Sequence, residues 1–510
     1  MHTQVINLTR FGDLLQTQPV FSGLAARGES ASLVCLDSFQ GAARLLRDVG
    51  QVRVLPGARL LARLDQGWPL ALAELTSWLD NETAGGRVLN LTPTLPARLL
   101  GRILGGVEVA GFGLDDHGFG QHSTPWAVFL QAASTYRGCS PFNLVDLFQR
   151  VAGLEPGEFR LRSPEPAALK RADALMSGKA GRGCVAFQLG ASQDYRRWPV
   201  SAFVRAARVL WARQGLSAVL LGTAAERHLA REFVDQADFP CTDLTGQTDL
   251  PVLAAVLSRM ELLLTNDTGT MHLAAGLGVP VAAVFLATAQ PFDTGPYLEG
   301  SVSLEPDLPC HPCSFGQECP HGLACRDLID GEKVGAMLAG HLASGFWDVP
   351  AGLGARVWKA GRDEQGFMDL FSLSGHETSD RSRWIRIQRD VYRQFLDQGW
   401  ESMQPSWPGA GSTFRDVLEE DLQRCLLLLT LVEEQGRLLT LRPDAPVRAK
   451  FLVNCQHLED RLVGNQAMGV LGPMWRFQSR DQSVSLAAFL AVCGTYRELF
   501  SILLRRVALA

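Results

Sequence analysis

The 510-residue sequence contains no run of about 18 consecutive apolar residues, so no transmembrane helix is expected. Its tightest apolar run, residues 425–432, is too short to span a bilayer. No export signal is recognisable either. Met1 leads directly into Val5-Ile6-Asn7-Leu8, with Arg10, Asp13 and Gln16 close behind. The expected location is the cytoplasm, or the periphery of the inner membrane. There is no basic excess: 48 Lys and Arg stand against 53 Asp and Glu, a net charge of −5, which argues against nucleic acid as a partner. The 50 glycines and 26 prolines follow no short period, which excludes a fibrous protein. No low-complexity tract or repeat of roughly 20–50 residues is visible. The eleven cysteines are an odd number in a chain without an export signal, so a disulfide scaffold is not expected. What is present is globular: 46% hydrophobic and 20% charged residues, at a length that suggests roughly three domains of about 150 residues.

Two stretches alternate short apolar runs with amphipathic helical patterns. The runs of the first are residues 5–8, 32–36, 52–55 and 88–91; those of the second are 185–189, 218–221, 262–265 and 281–285. Continuous apolar strands separated by helices predict parallel sheets covered on both faces, and thus two doubly wound α/β domains. The breaker-rich stretch 153–183 separates them, which places the first domain at 1–160 and the second at 175–348. Residues 350–366, rich in glycine, read as a linker. Beyond it, residues 367–510 show helical periodicity, as in Phe451, Cys455, Leu458 and Leu462, and predict an all-α C-terminal domain.

Four motifs fall at expected strand ends, where doubly wound sheets bind ligands. Thr9-Arg10-Phe11-Gly12-Asp13 follows the first strand. Gly12 permits close backbone approach, and Asp13 at a cleft mouth can act as a general base; the alternative is a helix-capping aspartate. Asn266-Asp267-Thr268-Gly269-Thr270-Met271-His272 opens a helix whose free N–H groups suit a diphosphate, with His272 one turn in; the alternative is a capped helix with a core histidine. Ser192-Gln193-Asp194-Tyr195-Arg196-Arg197-Trp198-Pro199 brings two arginines to the same edge, either to neutralise a leaving diphosphate or as a solvated turn. Glu226, after Leu221-Gly222-Thr223, can accept ribose hydroxyls or simply favour a helix first turn. Neither a Walker A sequence nor a G-x-G-x-x-G fingerprint occurs in the required context, which disfavours P-loop and NAD chemistry.

Together these motifs resemble glycosyltransferase family 9, the bacterial ADP-heptose:lipopolysaccharide heptosyltransferases. Arg10-Phe11-Gly12-Asp13 with Pro19, Trp198-Pro199, Leu244-Thr245-Gly246-Gln247-Thr248, and Asn266-Asp267-Thr268-Gly269 with His272, Ala274, Pro280 and Phe285 carry the resemblance, over roughly residues 1–345. It implies a GT-B fold, in which two Rossmann-like domains face a cleft, the first binding acceptor and the second the nucleotide sugar. It further implies inverting transfer without a required cofactor, with ADP-heptose or a related sugar as donor. Asp13 would be the base, with Arg10 and Gly12 in the cleft loop; Ser192, Arg196, Glu226, Asp267, Thr268, Gly269 and His272 would hold the donor. Arg196 stands where the family has Lys, a change that keeps charge and alters geometry. The acceptor would be a saccharide, a lipid-linked saccharide or a protein hydroxyl. A nucleotide-sugar epimerase of the same fold and a degenerate, non-catalytic scaffold are the competing readings.

Cys310, Cys313, Cys319 and Cys325 form C-x2-C-x5-C-x5-C, a donor set suited to a closed structural Zn or Fe site; the alternative is reduced thiols in a surface loop. The resemblance supports metal, since many family-9 members carry a similar group and the related autotransporter heptosyltransferases bind iron there. Residues 367–510 exceed the minimal family. Their apolar stretches 425–432 and 502–507 are expected to offer a surface for self-association or a partner.

Overall fold

A computed structural model of the chain describes all residues except 80–85, 105–108, 136–139, 179–180, 401–412, 444–445, 466, 482–484 and 509–510. The chain forms two compact units, Met1–Leu114 with Phe142–Gly375, and Asp115–Pro141 with His376–Ala510. Residues 115–141 lie inside the stretch read from sequence as the first domain, and in the structure they group with the C-terminal helices.

The larger unit contains two sheets. Strands β1 (His2–Ile6), β2 (Ser30–Leu36), β3 (Gln51–Leu55), β4 (Arg87–Asn90) and β5 (Val109–Leu114) run parallel in the order 3-2-1-4-5. Val5 pairs with both Leu33 and Leu89, so β1 is central. The short strand β6 (Gly120–His122) belongs to the smaller unit. The second sheet comprises β7 (Gly183–Gln188), β8 (Leu216–Leu221), β9 (Cys241–Asp243), β10 (Leu262–Asn266), β11 (Val281–Val284), β12 (Val302–Pro306), β13 (Ala355–Arg362) and β14 (Met368–Ser372), in the order 14-13-12-11-10-7-8-9. β7 to β12 are parallel, whereas β13 and β14 add antiparallel at one edge. Every residue of β10 and β12 is buried, as expected for central strands covered on both faces. Phe187, Trp198, Phe203, Leu264 and Val284 form much of the second core.

The stretch expected to be a linker is therefore corrected. It supplies β13, whose Val357, Trp358 and Ala360 are buried, and leads into β14. The hairpin also helps join the two halves of the larger unit. Buried Asp146, on the helix Leu144–Val151, accepts the Tyr297 hydroxyl at 2.6 Å and the Met368 N–H at 3.1 Å. Burial, and then the neighbouring Asp146 charge, push the Tyr297 hydroxyl well above its ordinary pKa.

The smaller unit is mainly helical. Pro125–Thr135, Asp380–Leu396, Thr413–Leu441, Val447–Gly464, Leu471–Asp481 and Leu486–Ala508 are helices; those beyond residue 367 match the expected all-α region, whereas Pro125–Thr135 was not expected in it. Its core takes Leu418, Leu422, Cys425, Leu429 and Val432 from one long helix and Cys493, Tyr496, Phe500, Leu503 and Val507 from another. Five of them, Cys425, Leu429, Val432, Leu503 and Val507, come from the stretches expected to offer a partner surface. They instead face inward, and Leu427 and Leu431 are the exposed exceptions in 425–432. By length and composition alone, Leu486–Val507 could cross a membrane, contrary to the reading from consecutive apolar residues; in the structure one face of it packs into this core.

Candidate functional site

Both sheets of the larger unit reverse their strand order at a single point, between β1 and β4 and between β7 and β10. Crevices form outside the carboxyl ends of strands at such points. The loops after β1, β7 and β10 carry three of the four motifs, and the first and third meet directly. The short helix Phe11–Leu15 and the helix Gly269–Gly276 pack end to end. A Cβ on Gly12 would stand 2.9 Å from His272 Cδ2 and 3.2 Å from Gly269 Cα, and a Cβ on Gly269 would strike the Phe11 ring. Only glycine admits this approach.

Asp13 lies half-buried in the first turn of its helix, and its carboxylate makes no hydrogen bond or ion pair among the described residues. Arg10, at the N-cap position, is exposed. Across the contact, Thr268 is the N-cap of its helix in extended conformation and makes no side-chain cap, which leaves the helix start to backbone N–H groups. Such an end carries partial positive charge and suits a phosphate. Thr268 Oγ1 lies 3.2 Å from Thr265 Oγ1, and Thr270 Oγ1 donates to Gln188 Oε1 at 3.2 Å. His272 is buried, with its ring edge towards Gly12.

Arg196 forms an ion pair with Asp267, both side chains 12% exposed, and its Nη1 donates to Ser192 Oγ at 3.3 Å. Ser192, Arg196 and Asp267 are therefore brought together from two loops. Glu226 closes a capping box: its Oε2 accepts the Thr223 N–H at 2.7 Å and hydroxyl at 3.0 Å. Its other oxygen lies over Gly190, where a Cβ would collide with it.

One residue named in the motif but given no task organises these loops. Asn266 is fully buried; its Oδ1 accepts the Trp198 N–H at 2.9 Å and its Nδ2 donates to the Leu189 and Gly190 carbonyls at 2.9 and 3.0 Å. An amide ending an apolar strand was the available signal. Its backbone partners are silent in sequence.

Segment 143–323 matches the model of glycosyltransferase family 9 (heptosyltransferase). The chain is glycosyltransferase family 9-like. Lipopolysaccharide heptosyltransferase 1 of Pseudomonas aeruginosa is 31% identical over 145 residues, 28% of this chain and 39% of that protein. Lipooligosaccharide heptosyltransferase 2 of Campylobacter jejuni is 28% identical over 184 residues, 34% of this chain and 53% of that protein. The chain thus spans about half or less of these curated relatives. The structure of Escherichia coli ADP-heptose lipopolysaccharide heptosyltransferase II superposes with a TM-score of 0.51 at 16% identity, covering 68% of this chain and 99% of that one. The larger unit has the family's α/β GT-B fold, and this family 9-like chain adds a C-terminal helical region.

The four-cysteine loop lies beside the site. Cys313 donates its N–H to the Ala287 carbonyl at 2.8 Å, and Arg326 Nε donates to the Arg197 carbonyl at 3.0 Å. Burial and then Cys310, Cys325 and Cys319 raise the Cys313 pKa; burial, opposed by a backbone contact to Ala287, raises that of Cys325. The thiols are near enough to feel one another, but no group of three or more His, Cys, Asp or Glu among the described residues is drawn together to hold a metal ion. As placed, the sulfurs do not fit a closed tetrahedral site, and no chemical step is derived through one.

Proposed function

We propose that this chain is an inverting glycosyltransferase that moves a heptose, or a related sugar, from an ADP-sugar to a hydroxyl of a saccharide or protein. The observation that carries the reading is the direct packing of the Asp13 loop on the uncapped helix start at Thr268-Gly269, with the Arg196–Asp267 pair on the same edge. The relatives' names add the sugar class and, for the Escherichia coli structure, the ADP-sugar.

In the proposed reaction Asp13 takes the proton of the acceptor hydroxyl. The hydroxyl oxygen bonds to the anomeric carbon as the bond from that carbon to the diphosphate oxygen breaks. The nucleoside diphosphate leaves with the electron pair. Its charge is met by the helix start and by Arg196, which exchanges part of its pairing with Asp267 for the phosphate. Gly269 keeps that approach open, Ser192 steadies Arg196, Glu226 offers its Gly190-side oxygen to the ribose, and His272 donates towards the phosphates.

Calorimetry with ADP, UDP, GDP and ADP-heptose tests the donor. Selective ADP-family binding is expected, followed by transfer to an added acceptor that Asp13→Ala abolishes. Preference for UDP or GDP overturns the donor assignment. Conversion of the free nucleotide sugar without acceptor, or no binding at all, overturns the transferase reading.

A further inference from the structure

We propose that the helical unit contains a binding site for a neutral saccharide, separate from the nucleotide-sugar site. A cavity of about 1120 Å³ opens there, between residues 115–128 and the helices Leu471–Asp481 and Leu486–Ala508. Its volume is slightly above the roughly 300–1,000 Å³ usual for small-molecule sites.

The lining chemistry selects the ligand. Gln121, Gln398, Gln478 and Thr124 bring amides and a hydroxyl able to donate and accept, and Thr495, whose hydroxyl donates to the Ala491 carbonyl, brings an acceptor, which suits a polyhydroxylated ligand. The formal charges balance, because Arg480 is offset by Asp115. Asp115 is moreover engaged locally, its Oδ1 accepting the N–H groups of His117 and Phe119 at 2.9 and 2.8 Å. A phosphorylated or strongly anionic ligand thus meets no net formal charge from Asp and Arg in the lining. The Tyr496 hydroxyl donates to Gln478 Oε1 at 2.6 Å, which fixes that amide and leaves its NH₂ group for a ligand oxygen. Phe119 is 70% exposed at the cavity and offers an aromatic face for the C–H side of a sugar ring.

A second observation is independent of the lining. Gln398 has φ +57, the left-handed conformation that glycine normally supplies after a helix. It follows the helix Asp380–Leu396, its N–H bonded to the Phe395 carbonyl and that of Gly399 to the Gln394 carbonyl. A glutamine held there is strained, and the strain coincides with a residue that lines the cavity.

The inference does not rest on the transferase reading, and ADP calorimetry on the same samples separates the two. Saturation-transfer NMR on the full chain would use maltotriose, mannotriose and dephosphorylated lipopolysaccharide core oligosaccharide as probes. Binding of at least one probe is expected, weakened about five- to tenfold by Phe119→Ala and by Gln398→Gly. Gln398→Gly relieves the backbone strain, so its melting temperature should equal or exceed that of the parent, and loss of binding cannot then be misfolding. No probe binding at millimolar concentration, or binding unchanged in both variants, overturns the proposal.

Discussion

Replacing Asn266 with Ala removes a staple whose every partner is a backbone atom. The Trp198 N–H loses its acceptor, and the Leu189 and Gly190 carbonyls lose a donor. Asn266 and Trp198 are both fully buried, so water does not readily replace the amide. An unsatisfied buried donor costs about 1–3 kcal/mol. The carbonyls add less, because each keeps a second lone pair, and the total is about 2–4 kcal/mol. The loss falls on the segment carrying Ser192 and Arg196, so ADP affinity should drop about tenfold or more, alongside a lower denaturant midpoint. Asn266→Asp keeps an acceptor for Trp198 but turns a buried carboxylate oxygen on the Leu189 and Gly190 carbonyls, and should be at least as destabilised as the alanine variant at neutral pH. Chemical denaturation with ADP calorimetry is the assay. An alanine variant with parental stability and parental ADP affinity would refute the staple.

Asp13→Asn keeps shape and removes the base; turnover should fall by about 10²–10⁴-fold while calorimetric ADP affinity is retained, and equal turnover would exclude Asp13 as base. Gly12→Ala places a methyl 2.9 Å from His272 Cδ2, which should cost roughly 1–3 kcal/mol in unfolding measurements; an unchanged midpoint would contradict the close approach. Arg326→Ala frees the Arg197 carbonyl and should raise the donor KM more than it lowers kcat, with the reverse pattern counting against a positioning role. Burial pushes the Cys425 thiol up to about 12, from about 9 when unperturbed. Its folded form favours the protonated state, so this stability is complete below about pH 9 and is lost as pH rises towards 12. Near pH 10.5 the loss is about 2 kcal/mol at most, and Cys425→Ala should show a correspondingly shallower decline in unfolding free energy above pH 9.

The central strands were legible because a strand buried on both faces must be a continuous apolar run, as in Leu262-Leu263-Leu264. β13 was not. Its Lys359 is exposed and Gly361 interrupts the pattern, so this antiparallel strand, paired with β12 on one side and β14 on the other, resembles a linker in sequence. Within 425–432 the apolar residues were visible, but composition alone did not distinguish a bundle interior from a docking face. At the site, the motifs were readable as glycine and polar residues directly after strands. The Arg196–Asp267 pair was not, since 71 residues separate its members. Glu226's engagement as a cap follows the Thr-x-x-Glu spacing from Thr223 and fits the helix-first-turn reading, but the link from Arg326 to Arg197 was not legible, because its acceptor is a carbonyl.

The helical unit is discontinuous in sequence, and this affects its synthesis. Trp126 and Phe129 are buried there; the Trp126 indole donates to Asp397 at 2.8 Å and Phe129 packs edge-on to Tyr392. On the ribosome these aromatics emerge before all of Phe142–Gly375, and at about 5–20 residues per second they wait on the order of tens of seconds for their cover. A nascent chain paused in that interval carries an apolar segment that a holdase would engage. A chain truncated before His376 never buries it, so such a truncation produces a sticky protein rather than a minimal enzyme.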